Sequence, residues 1–326
     1  MSDRACSRIL GQLAHSPRVL IVMHATPDGD SAGSGLALGL ALQELGHSVT
    51  WVAWDAVPAR LAFLPGYTQV QTWAQAGGQP YDCAIAVDCG SPSRLAAPQE
   101  FWSRDLPLIN IDHHRGNPDF GTINWVEPEA SSTGELVTRL FQYAHWPVSA
   151  DIALCLFTAI STDTLSFRQI NASVDTLAAV EWLVRHSNLN MGRANHLIWD
   201  SRSVGELKFL GWVLDLAKFS EDQRFAWVGV TRRAMSRFGV DDSGVDTVVH
   251  HLLSIAGVEV AFLAKETAQS GQVKVSWRAK PPWDASQLAA QFGGGGHAYA
   301  AAAQLEASLS KSIMLVRTAL GSWTSA

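Results

Sequence analysis

Histidine and aspartate residues recur in short motifs of this 326-residue sequence. Imidazole nitrogens and carboxylate oxygens bind divalent metals, and such metals activate water. His113 and His114 are adjacent, and neighbouring side chains of an extended chain point in opposite directions, so one ring can face a metal while the other faces a ligand. The motif residues are His24, Asp28, Asp30, Asp88, Asp112, His113, His114 and Asp163. Their types indicate metal-assisted chemistry, provided that the motifs meet in the fold.

Apolar runs lead directly into three of these motifs. The runs 18–23, 84–87 and 107–111 end at His24, Asp88 and Asp112. Continuous apolar runs that alternate with helical segments predict buried strands of a doubly wound, mainly parallel α/β sheet. Ligands bind outside the carboxyl ends of the strands in such sheets. The three motifs are therefore expected at one edge of the sheet.

The same residues also have structural interpretations that need no metal. After a tight turn, Asp30 or Ser31 fits the N-cap of a helix predicted at about residues 34–45. The histidine pair fits a solvated strand end. Asp163 fits the solvated end of a helix predicted at 150–161, although the helix dipole disfavours an acid there, so a nearby cation is the second interpretation.

A hydroxyl-rich segment, Ser131-Ser-Thr-Gly-Glu135, is typical of a helix start. A hydroxyl cap followed by a glutamate resembles a capping box. We interpret this segment as structural, with some phosphate contact as an alternative.

The pattern of strands restarts in the C-terminal third of the chain. Strands are predicted at 225–231, 258–265 and 272–278, and helices at 173–185, 194–218 and 245–255. The helix at 194–218 is long enough to connect two domains. We therefore predict a catalytic domain at 1–186, a helical linker at 187–222 and a smaller α/β substrate-binding domain at 223–326.

Four consecutive glycines, Gly293–Gly296, precede His297 and an alanine-rich run that predicts a helix. Glycines expose backbone N–H groups and allow a ligand to approach closely, and a helix N-terminus favours anions. We interpret the segment as a phosphate cradle. A flexible linker is the alternative.

The composition excludes several classes of protein. Apolar residues make up 47% of the chain and charged residues 17%, which is typical of well-packed domains. The net charge of −6, without a lysine- or arginine-rich run, argues against a protein that coats duplex nucleic acid. Cys83, Cys89 and Cys155 lie in apolar runs and are expected to be buried free thiols. No signal peptide or membrane-spanning run is recognisable, so we expect a cytoplasmic protein.

Together these motifs resemble the DHH phosphoesterase superfamily, in its members with the DHH-associated C-terminal domain. The corresponding segments are 24–34, 87–88, 112–117, 163–167, 276–278 and 293–297. The resemblance covers about residues 18–303 and is greatest to the bacterial oligoribonuclease (nano-RNase)/pAp-phosphatase branch. Ala298 and the run Ala300–Ala302 depart from the residues that usually follow the histidine.

The resemblance implies two metal positions that share one ligand. The first ion would be held by His24, Asp28 and Asp88. The second would be held by Asp30, Asp88, His113 and Asp163. Manganese is the expected metal, with magnesium and cobalt as alternatives.

The resemblance also implies how a substrate is held and cleaved. His114 would contact the phosphoryl oxygens and Asp112 would orient an imidazole. The C-terminal domain would hold the nucleotide through Ser276, Arg278, Gly294, Gly295, Gly296 and His297. The implied reaction is two-metal hydrolysis of very short oligonucleotides (nanoRNA) to 5′-mononucleotides, and of 3′-phosphoadenosine 5′-phosphate (pAp).

Two other functions stay open from the sequence. One is hydrolysis of a cyclic dinucleotide such as c-di-AMP, or of its linear product. The other is a nucleotide-binding module without catalysis. The expected partners are short single-stranded RNA or DNA, or small nucleotides. A membrane or an obligate protein partner is not expected, and a homodimer is left open.

Overall fold

The structure is a computed structural model that describes residues 2–103 and 105–323. It divides into two compact units, Met1–Ser201 and Arg202–Ala326. Each unit has its own sheet and its own hydrophobic core. The α/β fold class and the parallel sheet of the first unit, both predicted from the sequence, are confirmed.

The N-terminal unit contains a six-stranded, fully parallel sheet in the order β3-β2-β1-β4-β5-β6. Its strands are β1 (Arg18–Met23), β2 (Ser48–Ala53), β3 (Val70–Thr72), β4 (Cys83–Val87), β5 (Leu108–Asp112) and β6 (Ile123–Val126). The chain builds outward from β1 to β3, and then returns to the other side of β1 with β4. The crevice outside the carboxyl ends of β1 and β4 is therefore the switch point where such sheets bind ligands.

Eight described helices belong to this unit. They either cover a face of the sheet or pack against the helices that cover it. They are α1 (Ser2–Leu13), α2 (Gly29–Glu44), α3 (Trp73–Ala76), α4 (Gln99–Trp102), α5 (Thr133–Ala144), α6 (Ala150–Asp163), α7 (Val174–His186) and α8 (Met191–Trp199). Short 3-10 turns lie at Ala59–Leu61, Tyr67–Gln69 and Pro92–Leu95. Helices α1, α2, α5 and α6 share one core with one face of the sheet, and α3 and α4 share a second core with the other. Burial on both faces explains why β4 and β5 are apolar throughout.

Helices α2, α5 and α6 pack closely through glycines. A Cβ at Gly33 of α2 would lie 2.5 Å from the carbonyl oxygen of Cys155 in α6. A Cβ at Gly134 of α5 would overlap the Cβ of Ala159 in α6. The missing side chains let the three helix backbones approach one another. This approach fixes the ends of the helices that carry several of the candidate ligands.

The C-terminal unit contains a second six-stranded sheet, ordered β11-β12-β10-β9-β8-β7, in which only β8 and β9 pair in parallel. Its strands are β7 (Lys218–Phe219), β8 (Phe225–Val230), β9 (Val260–Glu266), β10 (Gln272–Ala279), β11 (Gly295–His297) and β12 (Ala300–Glu306). Its helices are α9 (Val204–Asp215), α10 (Arg232–Phe238), α11 (Asp242–Asp246), α12 (Val248–Leu253), α13 (Ala285–Ala290) and α14 (Leu309–Trp323). Separate apolar clusters fill the two faces of this sheet.

Three of the predicted helices have different bounds in the structure. Helix α2 begins at Gly29 rather than near Ser34, because the Asp28 side chain accepts from the N–H groups of Asp30 and Ser31 and is the N-cap. The single helix expected at 194–218 is two helices, and a capping box at Ser203 starts the second. The helix expected at 245–255 is likewise divided between α11 and α12.

The alanine-rich run after His297 is a strand and not the predicted helix. Residues 300–306 form β12, which pairs antiparallel with β10 and whose residues alternate between more and less buried positions. Alanine favours helices, but pairing on both edges with β10 and β11 outweighs that preference. The glycine segment therefore does not precede a helix N-terminus. The short strands β3 and β6 were not predicted either.

The four cysteines are buried free thiols, and the prediction for Cys83, Cys89 and Cys155 is confirmed. Burial raises the pKa of Cys89 to about 12, so this thiol stays protonated near neutral pH. No α-helix within the described ranges combines the length and hydropathy that a membrane span requires.

Candidate metal centre

The first candidate group lies where β1 and β4 end. His24 follows β1, Asp88 follows β4, and Asp28 caps α2. The Nε2 atom of His24 lies 3.3 Å from Oδ2 of Asp88 and 3.7 Å from Oδ2 of Asp28. Possible ligand atoms of the three residues all lie within 4.8 Å of one another, close enough to share a metal ion.

The second candidate group combines His113, which directly follows β5, with Asp30 of α2 and Asp163 of α6. The Nε2 atom of His113 lies 3.7 Å from Oδ2 of Asp30 and 3.7 Å from Oδ2 of Asp163. It also lies 3.6 Å from Oδ1 of Asp88. The two oxygens of Asp88 thus face different histidines, Oδ2 towards His24 and Oδ1 towards His113. This arrangement can hold two cations with Asp88 between them.

Asp88 adopts an unusual backbone conformation. Its φ of 56° lies in the left-handed region, which aspartate tolerates better than most residues but still at a cost of about 1–3 kcal/mol. The residue is 2% exposed, and its backbone N–H donates to the carbonyl of Ile111. The surrounding strands therefore hold this carboxylate in the crevice against a local preference.

The two histidines are oriented by backbone carbonyls. Nδ1 of His24 lies 2.7 Å from the carbonyl oxygen of Ala25, and Nδ1 of His113 lies 3.2 Å from that of Ala130. A carbonyl can only accept, so Nδ1 carries a hydrogen in both rings, and Nε2 is the nitrogen whose lone pair a metal would use after displacing any proton there. Nε2 of His24 is buried and has no hydrogen-bond partner among the described residues. A divalent cation beside this nitrogen fits the site.

The site concentrates negative charge away from water. Burial and the carboxylates of Asp88 and Asp28 outweigh the opposing histidines and raise the pKa of Asp163 to about 6. Burial, together with the Asp88 and Asp163 carboxylates, also raises the pKa of Asp30. Burial opposes the charged form of His24, but the nearby carboxylates of Asp28 and Asp88 prevail and raise the pKa of His24 to about 9. Protons thus partly neutralise the cluster, and divalent cations would replace them.

Three residues after Asp163 form a left-handed turn. Leu165, Ser166 and Phe167 have φ values of 47°, 58° and 63°. Hydrogen bonds from Ser166 N to the carbonyl of Ser161 (2.7 Å) and from Phe167 N to Oγ1 of Thr164 (3.1 Å) hold the turn. Consecutive residues in this region are rare and are typical of functional sites.

His114 and Asp112 form a pair beside the two groups. Nδ1 of His114 donates to Oδ1 of Asp112 over 2.7 Å, and Asn117 donates to Oδ2 of Asp112 over 2.6 Å. Burial opposes the charge of His114, but the bond to Asp112 prevails and raises the pKa of His114. The geometry matches an aspartate that orients an imidazole.

Several residues at the centre were not recognised in the sequence. The backbone N–H groups of Thr133 and Gly134 donate to Oδ2 and Oδ1 of Asp30 over 2.7 and 2.8 Å. The Thr133 hydroxyl lies 3.2 Å from Oδ1 of Asp88. Asn171 donates to the carbonyl of Ser131 (2.8 Å) and lies 3.4 Å from Oδ2 of Asp163. The hydroxyl-rich segment 131–135 is the signal that the sequence offers for Thr133 and Gly134, but helix capping explains the same residues without a metal centre.

Arg94 was also missed. Its positive charge lowers the pKa of both His24 and His114, although other effects on these histidines are larger. Its side chain is exposed, and its carbonyl accepts from the N–H of Ala25. An exposed cation beside the centre can attract a phosphate.

The predicted substrate-binding residues lie together in the C-terminal unit. Across the sheet, Arg278 of β10 and His297 of β11 are both in register with Ala300 of β12. Likewise, Ser276 and Gly295 are both in register with Ala302. Residues in register on adjacent strands share a face, so Arg278 and His297 flank the short side chain of Ala300.

The glycine segment allows this arrangement. A Cβ at Gly294 would overlap the carbonyl oxygen of Ala302, and Gly296 has a φ of 142° that side chains rarely allow. Glycine is therefore required for the close approach of β11 to β12. This approach places His297 in register with Ala300, as Arg278 is on the other side of β12.

Comparison with known proteins agrees with these features. Residues 18–160 match the DHH family, N-terminal domain, and residues 227–324 match the DHHA1 domain. The bifunctional oligoribonuclease and PAP phosphatase NrnA of Thermus thermophilus is 30% identical over 289 residues, which cover 88% of this chain and 84% of that protein. The cyclic-di-AMP phosphodiesterase GdpP of Geobacillus thermodenitrificans is 28% identical over an alignment of 333 positions, gaps included, which covers 93% of this chain and 47% of that protein.

A solved structure has the same fold. It is that of an exopolyphosphatase-related protein from Bacteroides fragilis, with a TM-score of 0.88 and 24% identity. The alignment covers 98% of this chain and 96% of that chain.

Proposed function

Because the chain belongs to the DHH family, we propose that it is a metal-dependent phosphoesterase that hydrolyses very short oligonucleotides to 5′-mononucleotides and removes a phosphate from pAp. The similarity to a bifunctional oligoribonuclease and PAP phosphatase over most of both chains supports this choice of substrates. Both substrates present a phosphate ester beside a nucleoside, so one site can accept either.

One observation carries the proposal: the two oxygens of Asp88 face two histidines that belong to two separate groups of ligands. Two cations held side by side would supply Lewis acidity and an activated water for attack on phosphorus. The mixture of imidazole and carboxylate donors suits manganese, with magnesium or cobalt as alternatives.

The other residues act on the substrate. His114, oriented by Asp112, would donate to a phosphoryl oxygen as negative charge develops on it. In the C-terminal unit, Arg278 and His297 would bind a terminal phosphate or chain end, with Ser276 and Gly294–Gly296 lining the same part of the sheet. Recognition of a chain end would explain a preference for short substrates.

A second candidate is a phosphodiesterase for c-di-AMP or its linear product. The observation in its favour is the similarity to GdpP, a cyclic-di-AMP phosphodiesterase, over nearly the whole of this chain. A cyclic dinucleotide has no terminal phosphate for Arg278 and His297 to bind, whereas its linear product has one, so this contact favours the first proposal over cleavage of the cyclic form.

Hydrolysis of a substrate panel tests both candidates. The purified protein with manganese is given diribonucleotide, longer end-labelled oligoribonucleotides, pAp and c-di-AMP, and the products are separated. We expect turnover to be highest on dinucleotide and pAp. Preferred cleavage of c-di-AMP would replace the first proposal by the second, and nucleotide binding without hydrolysis would reject both.

Two variants show that any activity belongs to this centre. Asp88→Asn should abolish hydrolysis, because it removes the charge of the shared ligand. Asp82→Asn is the matched control: Asp82 lies just before the other end of β4 and forms an exposed ion pair with Arg18, and such surface pairs contribute little to stability. Full activity in Asp88→Asn would contradict the proposed site.

A further inference from the structure

The two groups of ligands are supported in different ways. The first group is held by its own neighbours: Ala25 orients His24, and the N–H groups of Asp30 and Ser31 donate to Asp28. All these residues lie within one stretch of eight positions, 24–31. His24 and Asp28 are thus held by their own loop and the start of α2. The third member of the first group, Asp88, follows β4, and its backbone N–H donates to Ile111 of β5. The Asp88 oxygen that faces His24, Oδ2, is not the one that Thr133 contacts.

The second group is assembled from distant parts of the chain, and one segment, residues 130–135, contacts its members. Ala130 orients His113, while Thr133 and Gly134 donate to Asp30. Ser131 reaches Asp163 through Asn171. The Thr133 hydroxyl contacts Oδ1 of Asp88, which is the oxygen that faces the second group. The position of this segment therefore sets the geometry of the second group.

Glu135 holds the segment in place. It is fully buried, and its Oε2 accepts from the backbone N–H and the hydroxyl of Ser131 over 3.1 and 2.7 Å. Oε2 also accepts from the hydroxyl of Thr176 over 2.9 Å. Its other oxygen pairs with Arg139, whose Nη1 lies 2.8 Å from Glu127. A buried carboxylate with this many donors fixes both the loop before α5 and the first turn of α5.

We propose that Glu135 is a positioning residue for one metal position only: through the 130–135 segment it sets the affinity of the Asp30–His113–Asp163 position and leaves the His24–Asp28–Asp88 position nearly unchanged. This inference rests on the proposed two-metal function. Among the described residues, the hydrogen-bond and ion-pair partners of Glu135 include none of the candidate ligands, so its effect is transmitted by the segment. A general role in stability would instead weaken both positions together.

Titration with manganese tests the inference without any catalytic assay. Free Mn²⁺ is measured by electron paramagnetic resonance as the metal is added to the wild type, to Glu135→Gln and to Glu129→Gln. Glu129 is a matched control close to the segment, because its side chain is 83% exposed and pairs only with the exposed Arg115 among the ion pairs of the described chain. The wild type should bind two ions, and Glu129→Gln should do the same.

In Glu135→Gln, one binding constant should stay near its wild-type value and the other should weaken about 10- to 100-fold, as is usual when a residue that supports a metal ligand is changed. Equal weakening of both constants, or no weakening, would overturn the inference. Binding of a single ion by the wild type would also overturn it.

A second variant keeps the test decisive if Glu135→Gln does not fold. Thr133→Val removes the hydroxyl that contacts Asp88 and keeps the backbone N–H that donates to Asp30. We expect it to weaken one binding constant and Thr133→Ser to restore that constant. Wild-type-like binding in Thr133→Val would reject the role of the segment. A protein that binds two ions but hydrolyses no nucleotide would refute the proposed function and leave this inference standing.

Discussion

Nδ1 of His114 lies 2.7 Å from Oδ1 of Asp112, whose side chain is fully buried. Burial opposes the charge of Asp112, but the bond from His114 prevails and lowers the pKa of Asp112, so the carboxylate stays ionised. We expect Asp112→Asn to reduce kcat about 10- to 100-fold with little change in KM, because the ring loses a charged partner that orients it.

Steady-state kinetics on the substrate that the panel identifies would measure this effect. Manganese binding in Asp112→Asn should match the wild type. Loss of a bound ion would instead place Asp112 among the ligands.

Manganese affinity should fall as the pH is lowered. In the metal-free protein the pKa of Asp163 is raised to about 6 and that of His24 to about 9, so protons occupy ligand positions that a metal must take. Below pH 6 Asp163 is increasingly protonated, and the metal must displace that proton. Each proton to be displaced lowers the apparent affinity for manganese by up to about tenfold per pH unit.

Calorimetric titration at pH 7.5 and pH 5.5, in buffers of different ionisation enthalpy, gives both the affinity and the number of protons released. We expect weaker binding at pH 5.5 and proton release at both values. Equal affinity at the two pH values would show that these groups are not ligands.

Arg278 should affect substrate binding more than turnover. In the C-terminal unit it lies on one row of the sheet with His297, on either side of Ala300. Loss of a charge-assisted hydrogen bond to phosphate costs about 1.5–3 kcal/mol, so Arg278→Ala should raise KM about tenfold or more and leave kcat within about threefold. Arg237→Ala, which removes an exposed arginine of the same unit, is the control. An unchanged KM for pAp in Arg278→Ala would reject the proposed contact.

A buried ion pair should stabilise the C-terminal unit. Lys265 is 2% exposed, and its Nζ lies 2.8 Å from Asp246 and 2.9 Å from Asp242. Burial opposes the charge of Asp246, but Lys274 and Lys265 prevail and lower its pKa. A lowered carboxyl pKa contributes stability above the ordinary pKa, and this contribution is lost as the pH falls through the folded-state value.

We therefore expect Asp246→Asn to lower the free energy of unfolding by about 2 kcal/mol at pH 7. The loss is smaller than the usual cost of breaking a buried ion pair, because Lys265 keeps Asp242 as a partner. The difference should shrink between pH 5 and pH 3. Urea unfolding of the wild type, Asp246→Asn and the exposed control Asp215→Asn would measure it. A difference that stays constant over this range would show that the ion pair is not its source.

Features that depend on short stretches of chain could be predicted from the sequence. The strand at Leu108–Asp112 lies within one residue of the apolar run 107–111 at both ends, because an apolar run that leads into a polar triplet is a local signal. The parallel sheet followed from the alternation of such runs with helical segments. The carboxyl ends of β1, β4 and β5 then had to lie along one edge.

Features that depend on packing could not be predicted in this way. The amides of Thr133 and Gly134 reach Asp30 across more than a hundred positions because α2 and α5 both lie against α6. The alanines of β12 carry a helical preference, and only their pairing with β10 and β11 makes them a strand. Such contacts exist only once the whole unit has formed.

Gly33 and Gly134 supply no side-chain ligand to the centre, yet we expect substitutions at both positions to disturb it. Metal ligands must keep their places within about 0.2 Å, whereas a single methyl group at either glycine would force α2 or α5 away from α6. The positions of the metal ligands thus depend on the helix spacing that these two glycines allow. An engineer who grafted only the histidines and aspartates onto another scaffold would copy the ligands without the spacing that makes them a site.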